Sequence, residues 1–186
     1  MSPKDILLPT YVQMLRALSA WLEKAAAQTD DSERLPAARL APDMFPLSTQ
    51  VRFSCAQVYE GVCRLQGTDF PPVWRDLIEE GRHGGERPGG LANARARIEE
   101  TLAFLESVDP ETLNADDDQQ IVHELPNGMT FDMTVGQYAR DWSLSQFYFH
   151  VMAAYAILRQ SGVGLGKKDY VAHMFAYVRP GTMPGG

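Results

Sequence analysis

Apolar residues recur at helical spacing in four long stretches of this chain. The longest runs from Thr134 to Gln160. Its second half, Phe147 to Leu158, carries one strongly polar side chain, His150. A helix apolar on nearly all sides has to be surrounded by protein, so the pattern predicts the central helix of a packed bundle. At a rise of ~1.5 Å per residue it spans roughly 40 Å.

The other stretches supply helices to cover it. Ile6 to Gln28 keeps Tyr11, Met14, Leu15, Leu18, Trp21, Leu22 and Ala25 on one face. Pro9 fits only a first turn, so the regular helix is expected to start near it. Ser32 to Leu40 has room for one short helical turn. After a Pro-rich junction, Asp43 is placed to cap a second helix with Pro46 in its first turn. That helix runs to about Leu65 and buries Leu47, Val51, Cys55, Val58, Val62 and Leu65; Gly67 ends it. Beside the stripe runs a row of polar and small residues: Gln50, Ser54, Gln57 and Gly61. Residues 67–90 are rich in Gly and Pro, with a short helix expected at Val73 to Glu80. So long a connection suits a lid or a crossover, and a crossover makes the second and third helices parallel. The third helix runs from Leu91 to Val108, with its charge run (Arg95, Arg97, Glu99, Glu100) facing water. Asp109-Pro110 opens a further turn, and Ala115 to Asp118 reads as an acidic loop.

Residues 119–125 and 129–133 bracket Pro126-Asn127-Gly128. Asn-Gly between two such runs predicts a hairpin with a type I′ turn. Thr134 and Gln137 match a capping box, which delivers the hairpin into the fourth helix. Gly162 stands where a left-handed C-cap is expected. Leu165 to Val178 is too apolar for a free tail and is expected to lie across the bundle or across a second subunit. Residues 179–186 are expected to be a disordered tail.

The fold class is thus all-α, with residues 1–178 forming a single domain. Net charge is −7. Without a basic face the chain is a poor partner for nucleic acid and for anionic membranes. It has no run of ~20 apolar residues to span a bilayer. Its first residues carry no secretory signal, and Cys55 and Cys63 lie ~12 Å apart on one helix, too far to bridge. Both features fit a reducing cytoplasm.

The sequence resembles the DinB/YfiT-like bundles: four helices, a long second connection and a hairpin before the last helix. Ala38-Arg-Leu-Ala-Pro-Asp-Met-Phe-Pro-Leu47, Phe147-Tyr-Phe-His-Val-Met-Ala-Ala-Tyr-Ala-Ile-Leu-Arg159 and Gly162-Val-Gly-Leu-Gly-Lys-Lys-Asp169 are similar to the bacterial domain of unknown function 1993 family. The resemblance implies an up-down-down-up four-helix bundle. It also implies a metal site with one His on the second helix and two His four apart on the fourth. This chain departs from that set. The second helix has no His, and His150 is preceded four residues earlier by Gln146 and followed four later by Ala154.

His150 is the leading chemical candidate. Ser143, Gln146 and His150 share one face of the fourth helix, with Ala153 and Ala154 leaving room beside the ring. If the end of that helix lies level with Pro46, His150 falls beside Ser54 to Gln57. The two polar rows (His150, Gln146 and Ser143; Gln50, Ser54 and Gln57) would then line a small neutral pocket walled by Phe147, Ala153 and Ala154. Three readings follow. The first is a small-molecule-binding bundle that needs no cofactor. The second is an atypical metal-dependent transferase or hydrolase of the DinB type, holding Zn or Ni through His150. The third is an interaction homodimer that buries part of Tyr170 to Tyr177 or an outer bundle face. His83, His123 and His173 have no ligand spacing with His150, and no nucleophile signature is present, so the sequence assigns no reaction.

Overall fold

The computed structural model describes residues 2–28, 32–113 and 119–182. The expected acidic loop and the last four tail residues lie outside that range. The order is α1 (Pro3–Gln28), a 3-10 turn (Leu35–Ala37), α2 (Leu47–Gln66), α3 (Pro72–Arg82) and α4 (Leu91–Ser107). A hairpin of β1 (Gln120–Glu124) and β2 (Thr130–Thr134) follows. The chain then enters a long helical segment: α5 (Val135–Gln137), a π turn (Tyr138–Ser143) and α6 (Leu144–Gln160). α7 (Lys167–Tyr170) and a 3-10 turn (Ala172–Tyr177) close the chain.

Side-chain contacts give the helix directions. Ser19 meets Glu99 while Arg16 meets Glu106, so α1 and α4 are antiparallel. Tyr11 packs on Phe147 and Trp21 on Tyr155, so α1 and α6 are parallel. Gln50 bonds His150, whereas Gly61 approaches Ser143, so α2 and α6 are antiparallel. Arg52 and Arg97 share Glu80, and Tyr59 stacks on Phe104, so α2 and α4 are parallel. The bundle is therefore up-down-down-up, with α3 inside the crossover.

Several local expectations are corrected. α1 begins at Pro3, so Pro9 lies inside it rather than in its first turn. Ser2 and Asp5 close the helix start, the Asp5 carboxylate accepting from the Ser2 N–H at 3.0 Å. Pro9 has no N–H for the Asp5 carbonyl, but both residues are exposed, so water can serve that carbonyl. Asp43 does not cap α2. Pro46 is the N-cap, in extended conformation, and the Leu47 N–H is satisfied by the Ala38 carbonyl at 2.9 Å.

The hairpin turn is not type I′, since no residue other than glycine has positive φ among the described residues. Pro126 favours the first corner of an ordinary type I turn. The Gly128 N–H bonds the Leu125 carbonyl, the Leu125 N–H bonds the Met129 carbonyl, and Gly128 alone is left-handed, with φ 86°. This is the three-residue loop that ends in a glycine bulge. The capping box of Thr134 and Gln137 is formed as expected.

The central helix is α2, not the fourth long helix. Sixteen residues of α2 are buried, including Ser48, Thr49, Gln50, Arg52, Ser54 and Glu60. α6 instead leaves Tyr148, Phe149 and Met152 exposed on one side. Apolar composition all round therefore did not mean burial all round. No helix among the described residues is long and apolar enough to cross a membrane.

A close approach between α1, α2 and α6 falls at Gly61. A β-carbon there would overlap the Tyr11 hydroxyl and stand 2.7 Å from Ser143 Oγ. Glycine permits the Tyr11–Ser143 hydrogen bond of 2.6 Å to cross beside α2. Replacing a helical glycine by alanine ordinarily gains up to ~1 kcal/mol of helix propensity. Here Gly61→Ala is expected to lose about 1–2 kcal/mol in urea unfolding, because overpacking outweighs that gain. Tyr11→Phe in the same background should recover part of the loss. An unchanged or raised unfolding midpoint for Gly61→Ala contradicts the close approach.

Candidate functional site

The segment leading into Pro46 and two helices, α2 and α6, assemble the surroundings of His150. Gln50, in the first turn of α2, places its side-chain oxygen 2.9 Å from His150 Nδ1. Its amide nitrogen donates to the Phe45 carbonyl at 3.2 Å, and Phe45 precedes the Pro46 cap. That second bond orients the Gln50 amide with its oxygen toward the ring. An amide oxygen only accepts, so Nδ1 carries the imidazole hydrogen. Nε2 is then the ring's acceptor, and it has no hydrogen-bond partner among the described residues.

Aromatic rings surround the imidazole. Phe53 and Phe149 each meet it edge-on, with ring centroids 5.3 Å apart. Phe45 meets Phe53 in the same way at 5.6 Å. Phe45 and Phe149 are about half exposed and His150 is half-buried, so the ring lies partly exposed among aromatic side chains, in what can be called the His150 notch. Desolvation pushes the His150 pKa down to about 4, which keeps the ring neutral at pH 7.

The expected polar row is divided in two. Gln50 and His150 meet. Ser54 donates to the Gln50 backbone carbonyl at 2.8 Å, turned back on its own helix. Gln57 lies near Glu60, at 3.4 Å. Ser143 pairs with Tyr11, two helical turns from His150. Gln146 is half-buried between the two groups. The register differs from the expected one: His150 stands beside Gln50 rather than Ser54 to Gln57, because α6 runs roughly two turns past the start of α2. Phe147 packs on Tyr11, away from the notch. The rim residues Phe45, Phe53 and Phe149 were not singled out in the sequence.

The donor set does not fit the three-nitrogen metal site implied by the resemblance. The helix position that faces His150 is Gln50, whose oxygen is engaged by Nδ1, and Gln146 and Ala154 flank it on α6. Among the described residues no three His, Cys, Asp or Glu side chains stand close enough to hold an ion. Cys55 is buried, and desolvation pushes its thiol up to about 12, so it is no nucleophile at neutral pH.

Comparison with known proteins places this arrangement. The crystal structure of a DinB family member protein from Shewanella denitrificans is similar to the chain, with a TM-score of 0.72 and 30% sequence identity. The match covers 97% of this chain and 95% of that one. The fold is that of the DinB-like bundles. The family model for the domain of unknown function DUF1993 matches residues 4–171, and the chain belongs to that family. No curated protein matches it.

The lowered His150 pKa has a consequence for stability. A folded-state pKa near 4, against 6.5 unfolded, means that the unfolded chain binds the proton more readily between those values. The contribution is present above pH 6.5 and is lost as pH falls toward 4. At full effect it is of order 1–3 kcal/mol. His150→Gln should therefore lose less stability than wild type between pH 6.5 and 4 in parallel urea titrations. Coincident pH profiles for the two proteins contradict the assignment.

Proposed function

We propose that the His150 notch binds a small molecule, which presents a hydrogen-bond donor to Nε2 and an apolar flank to the aromatic rim. The observation that carries this reading is the fixed tautomer: Phe45 orients Gln50, Gln50 holds Nδ1–H, and Nε2 is left as a neutral acceptor. A second hydrogen bond that fixes ring orientation in this way pre-organises a histidine for one partner. With no charged group in direct contact among the described residues, the ligand class is neutral or weakly acidic, and hydrogen bonding and burial supply the affinity. The metal-dependent transferase or hydrolase reading has little support in a His, Gln, Gln donor set.

The homodimer is a second reading, favoured by the exposed side chains of Tyr148, Phe149 and Met152 on one side of α6. The C-terminal segment gives it partial support. Tyr170 stacks on Trp21 of its own bundle at 5.7 Å, while Met174, Phe175 and Tyr177 remain exposed. Apolar patches of this kind mark interaction surfaces more often than free ones.

The test is a thermal-shift screen with small thiols, carboxylic acids and amides on tag-free protein. A binding compound is expected to raise the wild-type Tm and to leave His150→Ala and Gln50→Leu unmoved. No response that depends on His150 across the screen contradicts the ligand reading. Chelator should leave the wild-type Tm unchanged, and a chelator-induced drop with an equivalent of bound metal restores the metal reading. Light scattering at tens of micromolar should give twice the chain mass for the dimer, and Phe149→Asp should halve it.

A further inference from the structure

Outside the His150 notch, one junction gathers polar atoms that the bundle leaves unpaired. It lies where the hairpin meets α2 and the π turn. Both ring nitrogens of His123, the Tyr138 hydroxyl, Trp142 Nε1, Arg64 Nε and Gln57 Oε1 are buried without a hydrogen bond among the described residues. His123 and Tyr138 are 3% and 0% exposed. Buried polar side chains elsewhere in α2 are paired, as Ser48, Thr49 and Ser54 are. Native interiors rarely strand such groups, least of all six together.

Glu60 stands at the centre. His123 Nδ1 is 3.6 Å from one Glu60 oxygen, and Arg64 Nε is also 3.6 Å away. Both separations exceed a hydrogen bond. The His123 ring lies against Trp142 and Tyr138, with centroids 4.4 and 5.8 Å apart. The π turn presents Tyr138 and Trp142 here, and such turns recur at functional positions in helices. Glu60 and Arg64 balance in charge, and desolvation holds His123 neutral, pushing it down to about 4. The junction therefore has no net charge. It offers the N–H groups of Trp142, Arg64 and one His123 nitrogen, and it accepts through Gln57, Glu60 and the other His123 nitrogen.

We propose that this junction is a second, internal binding site for a neutral hydroxyl-type oxygen, one that both accepts and donates hydrogen bonds between His123, Glu60 and Tyr138. Two sources share that chemistry: water, and the hydroxyl of a small alcohol or polyol. An anion is disfavoured by Glu60 and a cation by Arg64. The proposal is independent of the ligand assigned to His150, and the surface ring of His83 serves as an internal control.

Nitrogen-detected spectra of the histidine rings in the full chain test it, first in buffer and then with ethylene glycol as probe. If water is the guest, the His123 ring N–H shows a cross-peak to water and its resonances ignore the glycol. If a small alcohol is taken, the His123 resonances shift to saturation while those of the surface ring His83, held by Glu79 and Glu86, do not move. Tyr138→Phe should then raise the half-saturating concentration about fivefold, the worth of one net hydrogen bond. Gln57→Leu provides a second variant, with the same direction expected. A His123 proton bonded directly to Glu60, with no water cross-peak, no saturable response to glycol and no change in either variant, overturns the proposal.

Discussion

A helix buried on nearly every side has to satisfy all its polar groups within the protein. α2 is that helix, and much of the architecture follows from where those groups find partners. Ser48 and Thr49 donate to the carbonyls of Gly84 and Gly81 at the end of α3, at 3.1 and 2.8 Å. Arg52 is almost fully buried and bonds Glu80 of α3, which also takes Arg97 of α4. The two arginines hold the Glu80 carboxyl below the usual carboxylate range. One carboxylate thus ties three helices and fixes the crossover. Gln50 satisfies its two halves with Phe45 and His150, and so the same constraint creates the notch.

The sequence made the bundle legible because helix periodicity and breakers are local. The stripe of α2, its end at Gly67, the capping box at Thr134 and Gln137, and the left-handed Gly162 all lie where the residues point. What escaped was set by neighbours. Burial of α6 could not be judged from Phe147 to Leu158 alone, because Phe149 and Met152 are as apolar as the buried Val151. The turn at Asn127 was misread because Pro126 favours a right-handed corner ahead of it, which overrides the Asn-Gly preference for a mirror-image turn.

The candidate site was half legible. His150 stood out as the only strongly polar residue in its run, and Gln50 lay in the row expected to face it. Their pairing depends on the vertical register of two helices a hundred residues apart, which no local pattern encodes. The observed register leaves Ser143 with Tyr11, while Gln57 stays with Glu60 of its own helix, dividing one expected pocket into two polar centres. The junction around His123 was missed for a different reason. His123 alternates correctly as an inward strand residue, and nothing in β1 reveals that Glu60 and Tyr138 lie beneath it.

The parallel pairing of α1 with α6 bears on how the molecule is made. Tyr11 and Ser143 are hydrogen-bonded across 132 positions of sequence, so α1 is docked by the last long helix to leave the ribosome. At ~5–20 residues per second, the apolar stripe of α1 waits on the order of 10 s or more for that partner. Contacts this distant also slow folding of the finished chain, since a large loop has to close before they form. During the interval α1 can rest on α4, through Ser19 and Glu99, once residue 107 has emerged. The nascent chain at that point holds α1 to α4, with the α6-facing sides of Tyr11 and Trp21 uncovered.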